Sequence, residues 1–107
     1  MSKPLLINIK PGVKLNGIRP EIIVGLMAAI SYHPKTTVTI TSALEGKHMR
    51  SSKHYIGQAI DLRTDNIDFG EAARWRNQLA VALGRDFDII LEEDHLHIEF
   101  DPKGEIT

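Results

Sequence analysis

Polar and apolar residues alternate in three short segments of this chain, and this alternation constrains the fold more than any other feature. The segments are residues 36–42, 58–63 and 95–100. A strand with this period buries one face and exposes the other. The three segments therefore predict a sheet with one apolar face against a core and one polar, open face. Asp61 and His97 both belong to the polar face, so they can line one groove.

Two helices are also predicted, one before the first of these strands and one between the second and the third. Pro20 suits the first position of a helix, and Pro34 stops it. The apolar stripe of this first helix is predicted to comprise Ile22, Ile23, Leu26, Met27 and Ile30. Asp68 and Glu71 form a capping box that starts the second helix, and Gly84 ends it. One side of that helix is predicted to carry Phe69, Ala72, Ala73, Arg76, Leu79, Ala80 and Leu83.

The remaining segments complete an α+β fold. Residues 5–9 predict a short edge strand, and residues 87–91 predict a strand that forms a hairpin with 95–100. A long polar loop, 43–57, separates two strands, and a loop of that length in so small a domain is usually functional. We expect one domain over 1–107, with a small, mainly antiparallel sheet and helices packed on one face.

Composition narrows the chemistry. The chain has 107 residues, no cysteine and a formal net charge of -1. Disulfides and thiolate metal sites are therefore excluded, and any metal must be held by nitrogen and oxygen ligands. The charge gives no electrostatic footprint for nucleic acid, and no apolar segment is long enough for a signal peptide or membrane insertion. We expect a domain made in the cytosol that binds neither nucleic acid nor the membrane interior.

Three residues form a candidate metal site. His54 lies at the end of the long loop, Asp61 on the polar face of the following strand, and His97 on the polar face of the last strand. Three such ligands with one open position are typical of catalytic zinc. Gly57 would allow a sharp turn and Ala59 would leave room for the ion. The alternative is that these histidines are ordinary surface residues and no metal binds.

The motif Ser52-x-His54-x-x-Gly57-x-Ala59-x-Asp61 resembles the zinc-binding motif of the D-Ala-D-Ala metallopeptidase family. That family includes bacterial D,D-carboxypeptidases and phage endolysins that cut L-alanyl-D-glutamate bonds, and its fold is shared with lysostaphin-type peptidases and the hedgehog signalling domain. A second family motif ends in a zinc-binding histidine, and the segment from Asp94 to His97 is similar to its Asp-x-x-His form. The resemblance covers about residues 39–101.

The resemblance implies a role for each residue of the two motifs. His54, Asp61 and His97 would hold one Zn²⁺ per chain, and Asp94 would be the general base. His95 is the rival for catalysis, because a His-x-His pair in some relatives supplies one ligand and one catalytic histidine. His95 shares a strand face with His97, so it could also stabilise the charged intermediate.

The chain departs from the family at one place. Many members carry a substrate-binding arginine soon after the strand that precedes the loop, whereas residues 41–46 contain none. His48 and Arg50 are the nearest candidates to replace it, and Ser52 is expected to order the loop or bond to substrate. His48 and Arg50 are otherwise solvated loop residues. Glu99 is either a partner of the ligand histidine or a solvated acid at a strand edge.

The resemblance implies a hydrolase acting on D-amino-acid-containing stem peptides of bacterial peptidoglycan. The short chain and the Asp-x-x-His form suit a phage or prophage endolysin that acts as a monomer. Such an enzyme would accumulate in the host cytoplasm and reach the wall through holin-made lesions. One alternative is a zinc-stabilised binding module or virion-associated structural protein of the same fold, without activity.

Overall fold

The computed structural model of the chain describes residues 6–35, 37–45 and 57–103. Within these residues the chain forms a mixed sheet and two helices. In chain order the elements are β1 (Leu6–Ile9), α1 (Pro20–Tyr32), β2 (Thr37–Ser42), β3 (Ala59–Arg63), α2 (Phe69–Leu83), β4 (Phe87–Leu91) and β5 (His95–Phe100). The predicted α+β class is confirmed, and the predicted elements are present within one or two residues of their expected bounds.

The sheet has the strand order β1-β2-β3-β5-β4. β1 lies at one edge, as predicted, and pairs with β2 in parallel. The other three pairings are antiparallel, so the sheet is mainly but not entirely antiparallel. The β3–β5 register places Asp61 opposite His97 and Arg63 opposite His95. Since paired residues share a face, all four side chains lie on one side of the sheet.

The core lies between the sheet and the two helices, on the opposite side from these polar residues. It contains the alternating apolar residues of the strands together with residues of both helices: Ile22, Ala29, Val38, Ile40, Ala43, Ile60, Leu62, Trp75, Leu79, Ile89, Leu96 and Ile98. Trp75 is completely buried, and its indole N–H donates a hydrogen bond of 3.0 Å to the carbonyl of Ala29. This bond joins α2 to α1, so Trp75 is a core residue rather than a boundary one.

The predicted helix faces are wrong at three positions. Ile23, Met27 and Phe69 are 46%, 64% and 80% exposed. α1 turns Gly25 toward the sheet, where an added Cβ would lie 3.2 Å from Cγ2 of Ile98. Because α1 approaches the sheet through Gly25, its buried side also contains Ile22 and Ala29. Ile23 and Met27 therefore lie beside this contact and stay exposed to solvent.

The start of α2 agrees with the sequence prediction. The Asp68 carboxylate accepts a hydrogen bond from the Glu71 N–H, and the Glu71 carboxylate accepts one from the Asp68 N–H. This capping box satisfies two N–H groups that the helix cannot pair internally. Within the described residues, no helix is both long enough and apolar enough to cross a membrane.

Candidate metal and catalytic site

Asp61 and His97 form the centre of the polar face of the sheet. Nδ1 of His97 lies 2.8 Å from Oδ1 of Asp61, and the two side chains are only 14% and 13% exposed. The contact follows from the sequence, because both residues occupy polar positions of alternating strands and the register sets them opposite each other. Two of the three predicted metal ligands are therefore adjacent in space.

The other ring nitrogen of His97 faces a second carboxylate. Nε2 lies 3.2 Å from Oε1 of Glu99. Burial is the largest single influence on this imidazole and favours its neutral form, but the hydrogen bonds to Asp61 and Glu99 outweigh it and raise the pKa of His97. A ligand histidine usually holds its second nitrogen against a carboxylate in this way, which fixes the orientation of the ring.

Asp94 and His95 extend the cluster toward solvent. Nδ1 of His95 lies 2.7 Å from Oδ1 of Asp94, and Nε2 of His95 lies 3.8 Å from Oδ2 of Asp61. The hydrogen bond from His95 lowers the pKa of the Asp94 carboxyl. Asp94 is 74% exposed and His95 29% exposed. An ionised, accessible carboxylate and a histidine thus lie beside the buried pair, as a proton-transfer role requires.

Two backbone irregularities border Asp61. The β2–β3 register shifts between Ile40 and Ser42, so that two residues of β2 stand opposite Asp61. Such bulges re-aim side chains and are common next to active sites. Just before β3, Gly57 has a φ of +75°, and its carbonyl accepts a 2.8 Å hydrogen bond from the Arg19 N–H. The sharp turn predicted at Gly57 is therefore confirmed.

The site residues of the long loop cannot be placed. His48, Arg50, Ser52 and His54 all lie outside the described residues, so the third predicted zinc ligand and the predicted substrate-binding residues stay predictions. The segment expected to carry an arginine, if the chain followed the family that its motifs resemble, contains Glu45 in its described part. Its carboxylate accepts hydrogen bonds of 2.9 Å from the N–H groups of Lys14 and Ala43. This position is a backbone anchor rather than a cationic binding group.

The described side chains fit a zinc ion as far as they go. Asp61 and His97 offer one carboxylate oxygen and one ring nitrogen from neighbouring strands, with an ordering carboxylate behind the ring. Nitrogen and oxygen donors of this kind are those expected for zinc in a chain without cysteine.

A second group of acidic residues lies at the other edge of the same face. Single carboxylate oxygens of Asp88, Glu99 and Asp101 lie within 4.8 Å of one another. Nζ of Lys103 is 3.2 Å from both Asp88 and Asp101, so a lysine neutralises much of this charge. The group is a generic acidic cluster and does not indicate zinc.

A groove of about 620 Å³ adjoins the cluster on the open face of the sheet. It runs from β5 across β3 and β2 to β1 and the turn that follows it. Its lining includes Asn8, Ile9, Lys10, Pro11, Thr39, Thr41, Arg63, Asp65, Asp94 and His95. Arg63 was not among the predicted site residues. The alternation that placed Asp61 on the open face also placed Arg63 there, so the signal was present in the sequence.

Comparison with known proteins adds no identification. No family model matches this chain, and no curated protein matches it.

Proposed function

We propose that this chain is a zinc metallopeptidase that hydrolyses peptide bonds in the D-amino-acid-containing stem peptides of bacterial peptidoglycan. The observation that carries the proposal is the Asp61–His97–Glu99 arrangement beside Asp94 and His95 on an open sheet face. The two motifs that resemble the D-Ala-D-Ala metallopeptidases contribute Asp61 and His97, which lie 2.8 Å apart. Their likeness to the phage branch supports a lysis enzyme acting on the cell wall as a monomer, released from the host cytoplasm through holin lesions.

Asp61, His97 and, from the motif, His54 would hold the zinc ion. Bound there, zinc supplies a Lewis acid for the peptide carbonyl and lowers the pKa of water at its open position. Glu99 holds the His97 ring in the orientation that directs Nδ1 toward Asp61.

Asp94 is the proposed general base. Its exposed carboxylate is ionised at neutral pH, so it can accept a proton from the attacking water and pass it to the leaving amine. His95 orients that carboxylate through the 2.7 Å contact. His95 also faces Asp61 at 3.8 Å, which keeps it as the alternative proton carrier and as a donor to the developing oxyanion.

Digestion of purified peptidoglycan by untagged, zinc-loaded protein tests the proposal, with products identified by mass spectrometry. We expect soluble peptides from the wild type and a loss in turnover of about 10²–10⁴-fold in Asp94→Asn, with zinc retained. Glu93→Gln, which removes the neighbouring exposed acid of the same turn, is expected to keep its activity. A wild type that binds zinc but releases no peptide from peptidoglycan or from defined stem peptides would overturn the proposal.

One observation favours a second function. Glu45 occupies a backbone-anchoring position in the segment where catalytic relatives carry an arginine. A zinc-stabilised binding module or virion-associated structural protein of this fold would not require the arginine. Such a protein would sediment with peptidoglycan and leave it intact, and removal of zinc would lower its melting temperature.

A further inference from the structure

We propose that Arg63 binds a free carboxylate of the peptide substrate, in the groove beside the metal site. This inference rests on the proposed function and adds to it a preference among substrates. It assigns a role to a residue outside the motifs that resemble the family.

The position of Arg63 follows from the strand register. Arg63 lies two residues beyond Asp61 on β3 and opposite His95 on β5. Two residues of a strand span about 7 Å, which is also the length of two residues of an extended peptide. A substrate with its scissile carbonyl at Asp61 and His97 would therefore place a group one or two residues away near Arg63. At Arg63 the groove crosses the sheet over β2 to β1 and Lys10.

The guanidinium of Arg63 is prepared for such a ligand. Within the part of the chain that the structure describes, it bonds only to Asp65, through Nε. The two terminal nitrogens stay available, and a guanidinium binds carboxylates in a bidentate, planar geometry. Both partners of the Arg63–Asp65 pair are about half exposed. Exposed pairs of this kind are weak, so a substrate carboxylate can compete with Asp65.

The charged residues of the groove favour binding of an anion at the end near β1, away from Asp94. Asp94 lies with His95 at the metal end, where an added carboxylate would be repelled. Lys10 lies at the other end, and Arg63, paired with Asp65, lies between Lys10 and the catalytic cluster, so this part of the lining carries two cations and one carboxylate. A peptide with its carboxylate on the side facing β1 therefore suits the groove better than an uncharged one.

The test compares a synthetic stem pentapeptide, L-Ala-D-Glu-L-Lys-D-Ala-D-Ala, with the same peptide having every carboxylate converted to carboxamide. Binding is measured by NMR titration of metal-free protein, and hydrolysis is measured with zinc-loaded protein. The variants are Arg63→Gln, Arg63→Lys and the control Arg85→Gln. Arg85 is 47% exposed, against 49% for Arg63, and also pairs with a nearby aspartate, but lies away from the groove.

We expect the wild type and Arg85→Gln to bind the acid at least about 10-fold more tightly than the amide. Arg63→Gln should lose this preference, and Arg63→Lys should keep part of it. An unchanged preference in Arg63→Gln, or no preference in the wild type, would overturn the role of Arg63 while hydrolysis by the wild type still supported the peptidase. Conversely, an Arg63-dependent preference without hydrolysis of either peptide would establish the carboxylate site and reject the proposed peptidase.

Discussion

His97 lies between two carboxylates of the candidate site. Its two ring nitrogens face two carboxylates, Asp61 at 2.8 Å and Glu99 at 3.2 Å. In the absence of a cation, these contacts offset the cost of burying the charged imidazole. With a cation between His97 and Asp61, Glu99 would remain the partner that holds the ring.

Glu99→Gln is expected to lower zinc affinity by about 10-fold or more, because it removes the charge that orders the ligand ring and increases its basicity. Competition with a chromogenic chelator measures this affinity. The matched control is Asp88→Asn on β4, which stands opposite Glu99 and bonds to Lys103. We expect little change in the control. Equal zinc affinities in wild type and Glu99→Gln would show that Glu99 does not support the metal site.

Residue roles were predictable where they follow from strand alternation. The alternation placed Asp61 and His97 together because a side-chain period of two and an antiparallel pairing determine the face. The alternation also placed Arg63 on this face. The groove beside Arg63 was not predictable, because it depends on how β1 and β2 pair, and the sequence of β3 gives no information about that pairing. The anchoring role of Glu45 depends on contact with Lys14, which is distant in sequence.

At the scale of elements, the turn at Gly57 joins the start of β3 to the segment that precedes α1. Gly57 adopts a φ of +75°, and an added Cβ would overlap the carbonyl oxygen of Gly17. The hydrogen bond from Arg19 to the Gly57 carbonyl joins this turn to the start of α1. The glycine of the candidate zinc motif therefore has a structural role here that is independent of any metal.

Gly57→Ala is expected to lower the free energy of unfolding by more than about 2 kcal/mol, because strain in the left-handed region is added to a backbone overlap. Chemical denaturation measures this loss. Gly12→Ala is the control, since Gly12 has a φ of +92° with no atom within 4 Å of an added Cβ. In the control, the free energy of unfolding should decrease only by the strain of a positive φ angle at alanine. Equal losses in the two variants would contradict the close packing of Gly57 against Gly17.

The elements themselves were largely predictable and their packing was not. Helix starts were marked by Pro20 and by the Asp68–Glu71 box, which act within one turn of the chain. The exposed positions of Met27 and Phe69 were not predicted, because the rotation of each helix depends on what it contacts. For α1 that contact is the small residue Gly25 against Ile98, and a pattern of large apolar residues does not indicate it.

At the scale of the whole molecule, His33 connects the first helix to the core. It is 9% exposed, and its ring meets Trp75 edge-on with centroids 4.6 Å apart. Nδ1 of His33 accepts a hydrogen bond of 3.0 Å from the Lys35 N–H, so this nitrogen carries no proton. Burial is the main cause that lowers the pKa of His33, with Glu71 and Lys35 as the nearby charges.

His33 should make the stability of the protein fall in mild acid. A histidine whose pKa is lower in the folded state contributes stability that is fully present above its unfolded pKa of about 6.5 and is lost as pH decreases through the folded value. We expect the free energy of unfolding of metal-free wild type to decline below pH 6.5 more steeply than that of His33→Gln. Urea denaturation at several pH values measures both. Parallel pH profiles would show that His33 titrates normally.

One zinc ion is proposed to bind at the polar face of the sheet. Elemental analysis of untagged protein, purified without chelators, measures how much zinc each chain holds. We predict about one zinc per chain in the wild type and in Asp88→Asn, and loss of the metal in His54→Ala, Asp61→Ala and His97→Ala variants that remain folded. Wild-type protein without zinc after incubation with stoichiometric metal, or zinc retained in His97→Ala, would contradict the account.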